Sequence, residues 1–367
     1  MAAWRSRAFA EVRPVPPWPT YDEADAAGGG RNVTASDLSG DLALDLGTAS
    51  VRLAERDGAL VDEPSILAVD QDSGRMLGFG REALGAGAAA GRLRLVRPVR
   101  RGQLADLDLA EELIGALLRR VGVSRRGRPR VLACVHVDAT PIQRRALQRA
   151  LERAGARSVR FVELPVAVAI GRGLRIEEPA GSMIVEVGAG TTDIALLALG
   201  GMVTKAHMAV GGEDFELAVR NLLARRHDLV VDQATAREVL QMIGTVDDSV
   251  PDARVEVLGR DRSSGRPGAR ILCRAEVRAV LAEQLRPVLD AAASCIAAAP
   301  PDLANDLVGA GIVLAGGASG LDGLAATLAS ATGLSVHTVD EPRRAAVRGA
   351  ATCLEGIRPL PALQLAP

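Results

Sequence analysis

The clearest pattern in the chain is a pair of apolar runs separated by a glycine-rich turn, in residues Met183–Leu197. The first run surrounds Glu186 and ends at Gly188-Ala189-Gly190, and the second begins after Thr191-Thr192-Asp193. Apolar runs on both sides of such a turn predict a β-hairpin. Glycines at its tip let the backbone approach a ligand closely, and successive N–H groups there can bind an anion. Taken alone, the stretch is consistent with either a plain core hairpin or an anion-binding turn.

A second stretch, Leu42–Val51, repeats this pattern with Asp45, Gly47 and Thr48 at the turn. The two hairpins lie about 140 residues apart. A repeated acid–Gly–Thr hairpin favours a duplicated, two-lobed protein that holds a phosphate chain between its two turns.

Helix signals occur between the predicted strands. Thr140 is a suitable N-cap, with Pro141 at the first helical position, for a helix that runs to Ala154. Thr235 is predicted to cap a second helix, and Pro287 is predicted to kink or break a long helix over residues 276–296. A linker at residues 178–181 divides the chain into a first lobe, residues 41–180, and a second lobe, residues 181–345.

Composition limits the class of protein. The chain has 367 residues and a formal net charge of −1, and at roughly 150 residues per domain it makes about two domains. The balanced charge argues against nucleic-acid binding. The sequence shows neither a signal peptide nor the ~18 apolar residues of a membrane span. Four scattered cysteines without a CxxC pair indicate a reducing, cytoplasmic setting.

Lysine occurs once, at Lys205. Because there is no Gly-Lys pair, the chain has no P-loop, and mechanisms that need a positioned lysine, such as protein kinases, are poor candidates. A nucleotide would have to be bound by backbone amides, hydroxyl groups and a metal ion.

Two segments admit two interpretations each. Residues 1–40 are rich in proline and glycine and are predicted to be disordered, although Trp4 and Phe9 with neighbouring arginines could also form a short membrane or partner anchor. The loop with Arg125, Arg126 and Arg128 is either a solvated surface or a contact with anionic lipid or an acidic partner.

Several short motifs now combine into one pattern. The chain resembles the actin-like ATPase superfamily and, within it, the bacterial cell-shape family MreB/Mbl, over about residues 41–356. The segments that carry the resemblance are Asp45–Ala49, Val61–Ser65, Ala105–Asp108, Gly188–Thr192, Val210–Gly212 and Gly316-Gly317. The resemblance implies an α/β, actin-like (ribonuclease H-like) fold of two lobes with a central nucleotide cleft. Residues 346–367 would form a C-terminal helix and tail that return to the first lobe.

The resemblance also implies ATP and Mg²⁺ as cofactors and assigns roles to individual residues. Asp45 and Glu186 would hold Mg²⁺ through water, and Glu238 would face the ribose and adenine. Thr191 is expected both to bind nucleotide and to act in catalysis. The remaining nucleotide-binding candidates are Thr48, Ala49, Ser50, Gly188, Ala189, Gly190, Gly316, Gly317, Ala318 and Ser319.

The chain departs from the family pattern at the position that matters most for hydrolysis. The family has an acidic residue directly before a proline, where it orients the attacking water, but here that residue is Leu164. Glu163 is one position away, so it is a catalytic candidate only if it can turn toward the cleft. Loss of such a group lowers a rate by about 10²–10⁴. Further departures are Glu186 for Asp, Ala189 and Ala318 for Gly, and Leu240 for Lys.

These features predict an ATP-binding protein of the bacterial cytoskeleton that is at most a slow ATPase. It would form membrane-associated filaments that organise cell-wall synthesis and cell shape. Its expected partners are further copies of itself and cell-wall or division proteins. It would lie in the cytoplasm, at the inner face of the cell membrane. The alternative is a non-polymerising pseudo-ATPase scaffold for the same machinery. A sugar kinase or chaperone on this fold is disfavoured by the single lysine and by the lack of a long C-terminal substrate domain.

Overall fold

The computed structural model describes residues 41–56, 58, 60–87, 92–121 and 128–354. The predicted N-terminal extension, Arg125, Arg126 and the tail after residue 354 lie outside the described residues. The first part of the chain forms these elements: β1 Leu42–Leu46, β2 Ser50–Glu55, β3 Leu60–Pro64, β4 Leu67–Asp70, β5 Met76–Phe79, α1 Gly80–Gly87, β6 Leu93–Val96, β7 Val99–Arg100, β8 Gln103–Leu104, α2 Leu107–Arg120, β9 Arg130–Val135, α3 Pro141–Ala154, β10 Ser158–Glu163 and α4 Leu164–Gly171.

The second part of the chain repeats the order of the strands in the large sheet of the first part and, like the first part, carries a small three-stranded sheet. Its elements are β11 Ser182–Val187, β12 Thr192–Ala198, β13 Gly201–Met208, α5 Gly212–Arg226, β14 Leu229–Val230, α6 Gln233–Ile243, β15 Arg254–Asp261, β16 Pro267–Cys273, α7 Arg274–Ala297, α8 Pro301–Ala310, β17 Ile312–Ala315, α9 Leu324–Thr332, β18 Val336–Thr338 and α10 Ala345–Cys353.

Two five-stranded sheets with equivalent strand orders form the centre of the molecule. The first has the order β10-β9-β1-β2-β3, and the second has the order β13-β12-β11-β17-β18. In each sheet the first three strands along the chain form an antiparallel meander. The remaining two strands are added in parallel beside the first strand of that meander. This repetition matches the duplication that the two hairpins predict. It also places the two glycine-rich turns at corresponding ends of β1 and β11.

The hydrophobic core has three main layers. One cluster covers the outer face of the first sheet and another the outer face of the second. The middle cluster combines inner-face residues of both sheets with α4 and α10, including Ala43 and Val162 from the first sheet and Ile184 and Ala315 from the second. The last described helix, α10, therefore packs on the first sheet.

Helix ends follow the expected capping chemistry with one correction. Thr140 forms a capping box with Gln143 at the start of α3, as predicted. The helix α6 is capped not by Thr235 but by Asp232, whose carboxylate accepts from the Thr235 N–H at 2.8 Å. Aspartate is as good an N-cap as threonine, and it stands three residues earlier. The helix α7 continues through Pro287 without a break, and α8 was not predicted.

Among the described residues, no helix combines the length and apolarity needed to cross a bilayer.

The close crossing of α4 and α10 generates a stability prediction. A Cβ added to Gly171 would lie 2.8 Å from the Gly349 Cα, and one added to Gly349 would overlap the carbonyl oxygen of Ala167. We expect Gly349→Ala to force the helices apart and to lower the free energy of unfolding by about 1–3 kcal/mol. Urea denaturation of the purified variant measures this change.

Gly309→Ala is the matched control. Gly309 lies in α8 with no atom within 4 Å of an added Cβ, so alanine should stabilise the helix by about 0.5–1 kcal/mol. A Gly349→Ala protein as stable as the original would show that the helices are not in close contact.

Candidate functional site

The two glycine-rich turns face each other across a cleft between the two sheets. Each turn is closed in the same way: the Gly47 N–H donates to the Ser50 carbonyl at 3.0 Å, and the Gly188 N–H donates to the Thr191 carbonyl at 2.8 Å. A Cβ added to Gly190 would lie 2.8 Å from the Thr48 Oγ1. Only glycine allows the two turns to approach this closely, so the floor of the cleft is built from both lobes.

Most of the predicted nucleotide-binding residues line this cleft. They are Thr48, Ala49, Ser50, Gly188, Ala189, Gly190, Thr191, Gly317 and Ala318, together with Asp45 and Glu186. Ala189 replaces a glycine without strain, because it is not among the described residues with positive φ. The sequence thus brings together a continuous polar surface of backbone amides and hydroxyl groups that suits a phosphate chain.

Three predicted residues are placed elsewhere. Gly316, at φ 91°, passes so close to the Val187 carbonyl that a side chain would overlap it, and Ser319 is buried with its hydroxyl donating to the Gly316 carbonyl at 2.7 Å. Gly316 and Ser319 therefore support the backbone of this turn and do not line the cleft. Glu238 is exposed and lies outside the residues that line the cleft.

The residue that does reach the cleft from α6 is Arg237, next to Glu238 in the chain. Its Nε donates to the Glu216 Oε1 at 2.7 Å, and Glu216 lies on α5 and also lines the cleft. The choice between two adjacent helix positions depends on the rotation of α6, which the sequence pattern does not give to within one residue.

At the start of α4, the side chains of Leu164 and Glu163 point in different directions. Leu164 lines the cleft. The Glu163 carboxylate is buried and forms an ion pair with Arg144 at 2.7 Å, and it is not among the residues that line the cleft. The first helical residue and the residue before it project in different directions, so the apolar side chain occupies the place facing the cleft.

A row of charged side chains crosses the first sheet beside its turn. Asp45 on β1 is directly opposite Arg52 on β2, and Arg52 is directly opposite Asp62 on β3. The Arg52 Nη1 donates to the Asp45 Oδ2 at 2.9 Å, and its Nε lies 3.2 Å from the Asp62 Oδ1. Arg52 lines the cleft but was not a predicted site residue. Asp45 and Arg52 are seven residues apart across a short hairpin, and this spacing in the sequence indicates that the two side chains lie opposite each other.

The second sheet carries the corresponding row. Glu186 on β11 is opposite Asp193 on β12, which is opposite His207 on β13. The buried Asp193 carboxylate is 3.1 Å from the His207 Nδ1 and 2.6 Å from the Nδ1 of His136, and it accepts from the Val137 N–H at 3.0 Å. His136 and Val137 follow β9 of the first lobe, so this carboxylate joins the two lobes. Both histidines were missed by the sequence analysis.

Burial and neighbouring charges shift the pKa values of these acids in opposite directions. Burial alone would raise the pKa of Asp193, but the hydrogen bonds from His136 and His207 outweigh it and hold that pKa at about 2. Burial, with the nearby Asp193 and Asp45 carboxylates, raises the pKa of Glu186 to about 8. Burial also raises the pKa of Asp45, against the opposing effect of Arg52. Without a bound cation, burial thus favours the protonated form of Glu186, and the hydrogen bonds from the two histidines favour the ionised form of Asp193.

The two predicted Mg²⁺ ligands differ in their surroundings. Asp45 is bound by the guanidinium of Arg52, whereas the buried Glu186 lies close to the Asp45 and Asp193 carboxylates, whose charges a bound cation would offset. A hydrated Mg²⁺ ion is held by ionised carboxylates. The Mg²⁺ role of Asp45 and Glu186 remains a prediction.

The mouth of the cleft is crossed by a second group of ion pairs. Arg101, at the tip of the β7–β8 turn, donates to the Asp214 Oδ1 at 2.9 Å, and Arg97 lies 3.8 Å from the Glu213 Oε1. Both acids stand in the first turn of α5, where the helix dipole favours negative charge. Charges from the two lobes thus meet at the mouth as well as at the floor.

Two equivalent sheets around a cleft, with paired glycine-rich turns at its floor, define an actin-like protein. A model of the family described as MreB/Mbl protein matches residues 39–361. The chain belongs to the MreB/Mbl family.

Relatives support this assignment along almost the whole chain. The cell shape-determining protein MreB of Escherichia coli is 34% identical over 328 residues, which cover 87% of this chain and 94% of that protein. The cell shape-determining protein Mbl of Bacillus cereus is 31% identical over 324 residues, covering 88% and 97%.

Solved structures agree on the fold. The crystal structure of MreB 5 of Spiroplasma citri bound to AMPPNP has a TM-score of 0.79 and 26% identity, and it covers 85% of this chain and 95% of that chain. The MamK double helical filament has a TM-score of 0.74 at 21% identity, covering 86% and 99%. The likeness to MamK concerns the fold alone.

The raised pKa of Glu186 generates a prediction of pH dependence. Folding raises this pKa from its usual 4.5 to about 8, so between these values the folded protein holds a proton that the unfolded chain releases. Stability contributed by the proton is complete below the unfolded pKa and is lost as pH rises toward 8. We expect Glu186→Gln to remove this loss, so that the variant gains on the original protein by about 1 kcal/mol per pH unit.

Urea denaturation at intervals from acid to mildly alkaline pH measures the difference. Glu238→Gln, at an exposed glutamate of α6, is the control and should follow the original protein throughout. A difference between Glu186→Gln and the original protein that stays constant with pH would contradict the assignment.

Proposed function

We propose that this chain binds ATP in the cleft and assembles into filaments that organise cell-wall synthesis and cell shape, with ATP hydrolysis that is weak or lost. Support for nucleotide binding comes from the facing turns, where Thr48 and Gly190 approach each other and polar backbone lines the floor. Support for the nucleotide class comes from MreB 5 of Spiroplasma citri, a related protein whose crystal structures contain AMPPNP and ADP.

The weakness of hydrolysis depends on one observation: Leu164, not an acid, faces the cleft at the start of α4. A leucine side chain neither accepts a proton nor holds a water molecule. Glu163 does not replace it, since its buried carboxylate is held by Arg144 at 2.7 Å and is not among the residues that line the cleft. Thr191, which is 5% exposed, contributes a hydroxyl group to the cleft. The proposal is thus supported by a cleft whose backbone amides and hydroxyl groups suit phosphates, with an apolar side chain where the family has its water-orienting acid.

Family membership supports the proposed filament assembly and its cellular setting. The relatives of this chain include proteins named as determinants of cell shape. The expected partners are other copies of the chain and proteins of cell-wall synthesis or division, at the inner face of the cell membrane. Arg128 of the basic loop proposed for membrane contact is exposed, and its guanidinium donates to the carbonyls of Gly155 at 3.2 Å and Ala156 at 2.9 Å. Arg125, Arg126 and the N-terminal segment lie outside the described residues.

Restoring an acid at position 164 tests the proposal for hydrolysis. We expect the original protein to bind ATP with little phosphate release, and Leu164→Glu to increase release by about 10²–10⁴. Calorimetric ATP binding and a coupled phosphate assay measure the two quantities. Leu164→Gln matches the shape of glutamate without its acidity and should not increase release.

Glu163→Gln separates the two candidate residues. It should leave phosphate release unchanged, because Glu163 is turned away from the cleft. If the original protein releases phosphate rapidly and Glu163→Gln abolishes that release, the proposal is overturned. Glu163 would then be the residue that orients the attacking water. Sedimentation with ATP tests assembly: a protein that binds ATP and stays in the supernatant would be a scaffold rather than a filament.

A further inference from the structure

A buried carboxylate and two imidazoles from different lobes come together at one place. The Asp193 Oδ2 lies 2.6 Å from the His136 Nδ1, and the Asp193 Oδ1 lies 3.1 Å from the His207 Nδ1. One ligand atom from each of these residues lies within 4.8 Å of the other two. Two imidazoles and a carboxylate are a donor set that transition-metal sites in proteins use. We call these three residues the His-Asp-His cluster.

The surrounding backbone fixes which edge of each imidazole faces the carboxylate. A Cβ added to Gly102 would overlap the His136 Nε2, so that edge of the ring packs against Gly102 and the Nδ1 edge is directed at Asp193. His207 on β13 is directly opposite Asp193 on β12, so the register of the second sheet places the other imidazole. Both Nδ1 atoms are therefore held toward the same carboxylate.

The separations within the cluster are close to those of a tetrahedral ion site. Bonds of about 2.1 Å to nitrogen and oxygen place neighbouring ligand atoms about 3.4 Å apart. The observed separations of 2.6 and 3.1 Å lie within about 1 Å of that value. The Val137 N–H, which donates to the Asp193 Oδ1 at 3.0 Å, would orient the ligating carboxylate, as second-shell donors do in metal sites.

One side of the cluster is open to solvent and offers a fourth ligand. The side chains of His136 and His207 are 18% and 14% exposed, whereas the Asp193 side chain is fully buried. Asp138 follows His136 by two residues, its Oδ1 lies 3.8 Å from the His207 Nδ1, and its side chain is 57% exposed. An ion can therefore enter from the imidazole side, where Asp138 or a water molecule completes four ligands.

The acids around the cluster favour a cation. Glu186 and Asp193 are directly opposite each other on adjacent strands, an arrangement in which like charges are destabilising. Asp138 adds a third carboxyl group beside His207. Lys205 brings an opposing charge from β13, but its ammonium group donates to a backbone carbonyl at 2.8 Å. Because neutral imidazoles add no charge, a divalent ion between them would offset the neighbouring acids.

We propose that His136, Asp193 and His207 form a binding site for a divalent transition-metal ion such as Zn²⁺. The bound ion replaces hydrogen bonds between the lobes with coordinate bonds and so holds the two lobes together. The site uses none of the residues that the proposed function assigns to nucleotide, so it stands or falls independently of ATP binding.

Calorimetric titration of ZnCl₂ into the metal-free full chain, without nucleotide, tests the proposal. We expect one ion per chain with a dissociation constant of about 10 μM or lower. A 100-fold excess over that constant should raise the thermal unfolding temperature by about 3 °C, because only the folded protein unites ligands from both lobes. Absence of binding, or binding that leaves the unfolding temperature unchanged, would overturn the proposal.

His207→Asn separates coordination from hydrogen bonding. The asparagine amide nitrogen takes nearly the place of the imidazole Nδ1, so the variant keeps a donor to Asp193 but loses a metal ligand. We expect it to bind Zn²⁺ about 100-fold or more weakly than the original protein. His337→Asn is the matched control, since His337 is exposed on β18, and it should bind like the original protein. Equal affinities of His207→Asn and the original protein would show adventitious surface binding and contradict the proposal.

Histidine ring signals in nuclear magnetic resonance decide the question if His207→Asn does not fold. The chain has four histidines. Zn²⁺ should shift the assigned ring nitrogen signals of His136 and His207 and leave those of His227 and His337 in place. Any other pair of shifted signals, or none, would overturn the assignment.

Discussion

The buried carboxylate of Asp193 links the two lobes at the floor of the cleft. An ionised group that is fully removed from water needs several hydrogen-bond donors around it. Here the donors come from both lobes: His136 and the Val137 N–H follow β9, and His207 lies on β13. Lys205, the single lysine, adds another contact between the lobes by donating to the Val137 carbonyl at 2.8 Å. The relative position of the two turns therefore depends on satisfying one charge.

The duplicated sheets make different use of equivalent positions. In the first lobe the middle strand of the meander carries Arg52 between two acids, and in the second lobe it carries Asp193 between Glu186 and His207. The basic position joins the three strands of its own meander through two carboxylates, and the acidic position ties the lobes together. Because the register of an antiparallel pair fixes which side chains are opposite, one substitution at such a position changes its partner on both neighbouring strands.

At the start of α4 an apolar side chain faces the cleft, and the acid next to it does not. Leu164 lines the cleft, while the Glu163 carboxylate is held by Arg144. The ion pairs of Arg97 and Arg101 with α5 at the cleft mouth also favour a closed arrangement of the lobes.

Local sequence determined much of the fold. Alternating and continuous apolar runs located the hairpins, the capping box at Thr140 located α3, and the combined motifs indicated an actin-like protein. These features depend on residues close together in the chain, where backbone geometry and side-chain type suffice. Only the tertiary structure decided which residues meet across elements: the rotation of α6 that brings Arg237 rather than Glu238 to the cleft, the pairing of Arg52 with Asp45, and the approach of His136 to Asp193. Those contacts depend on strand register and on the relative placement of two lobes, which no local pattern specifies.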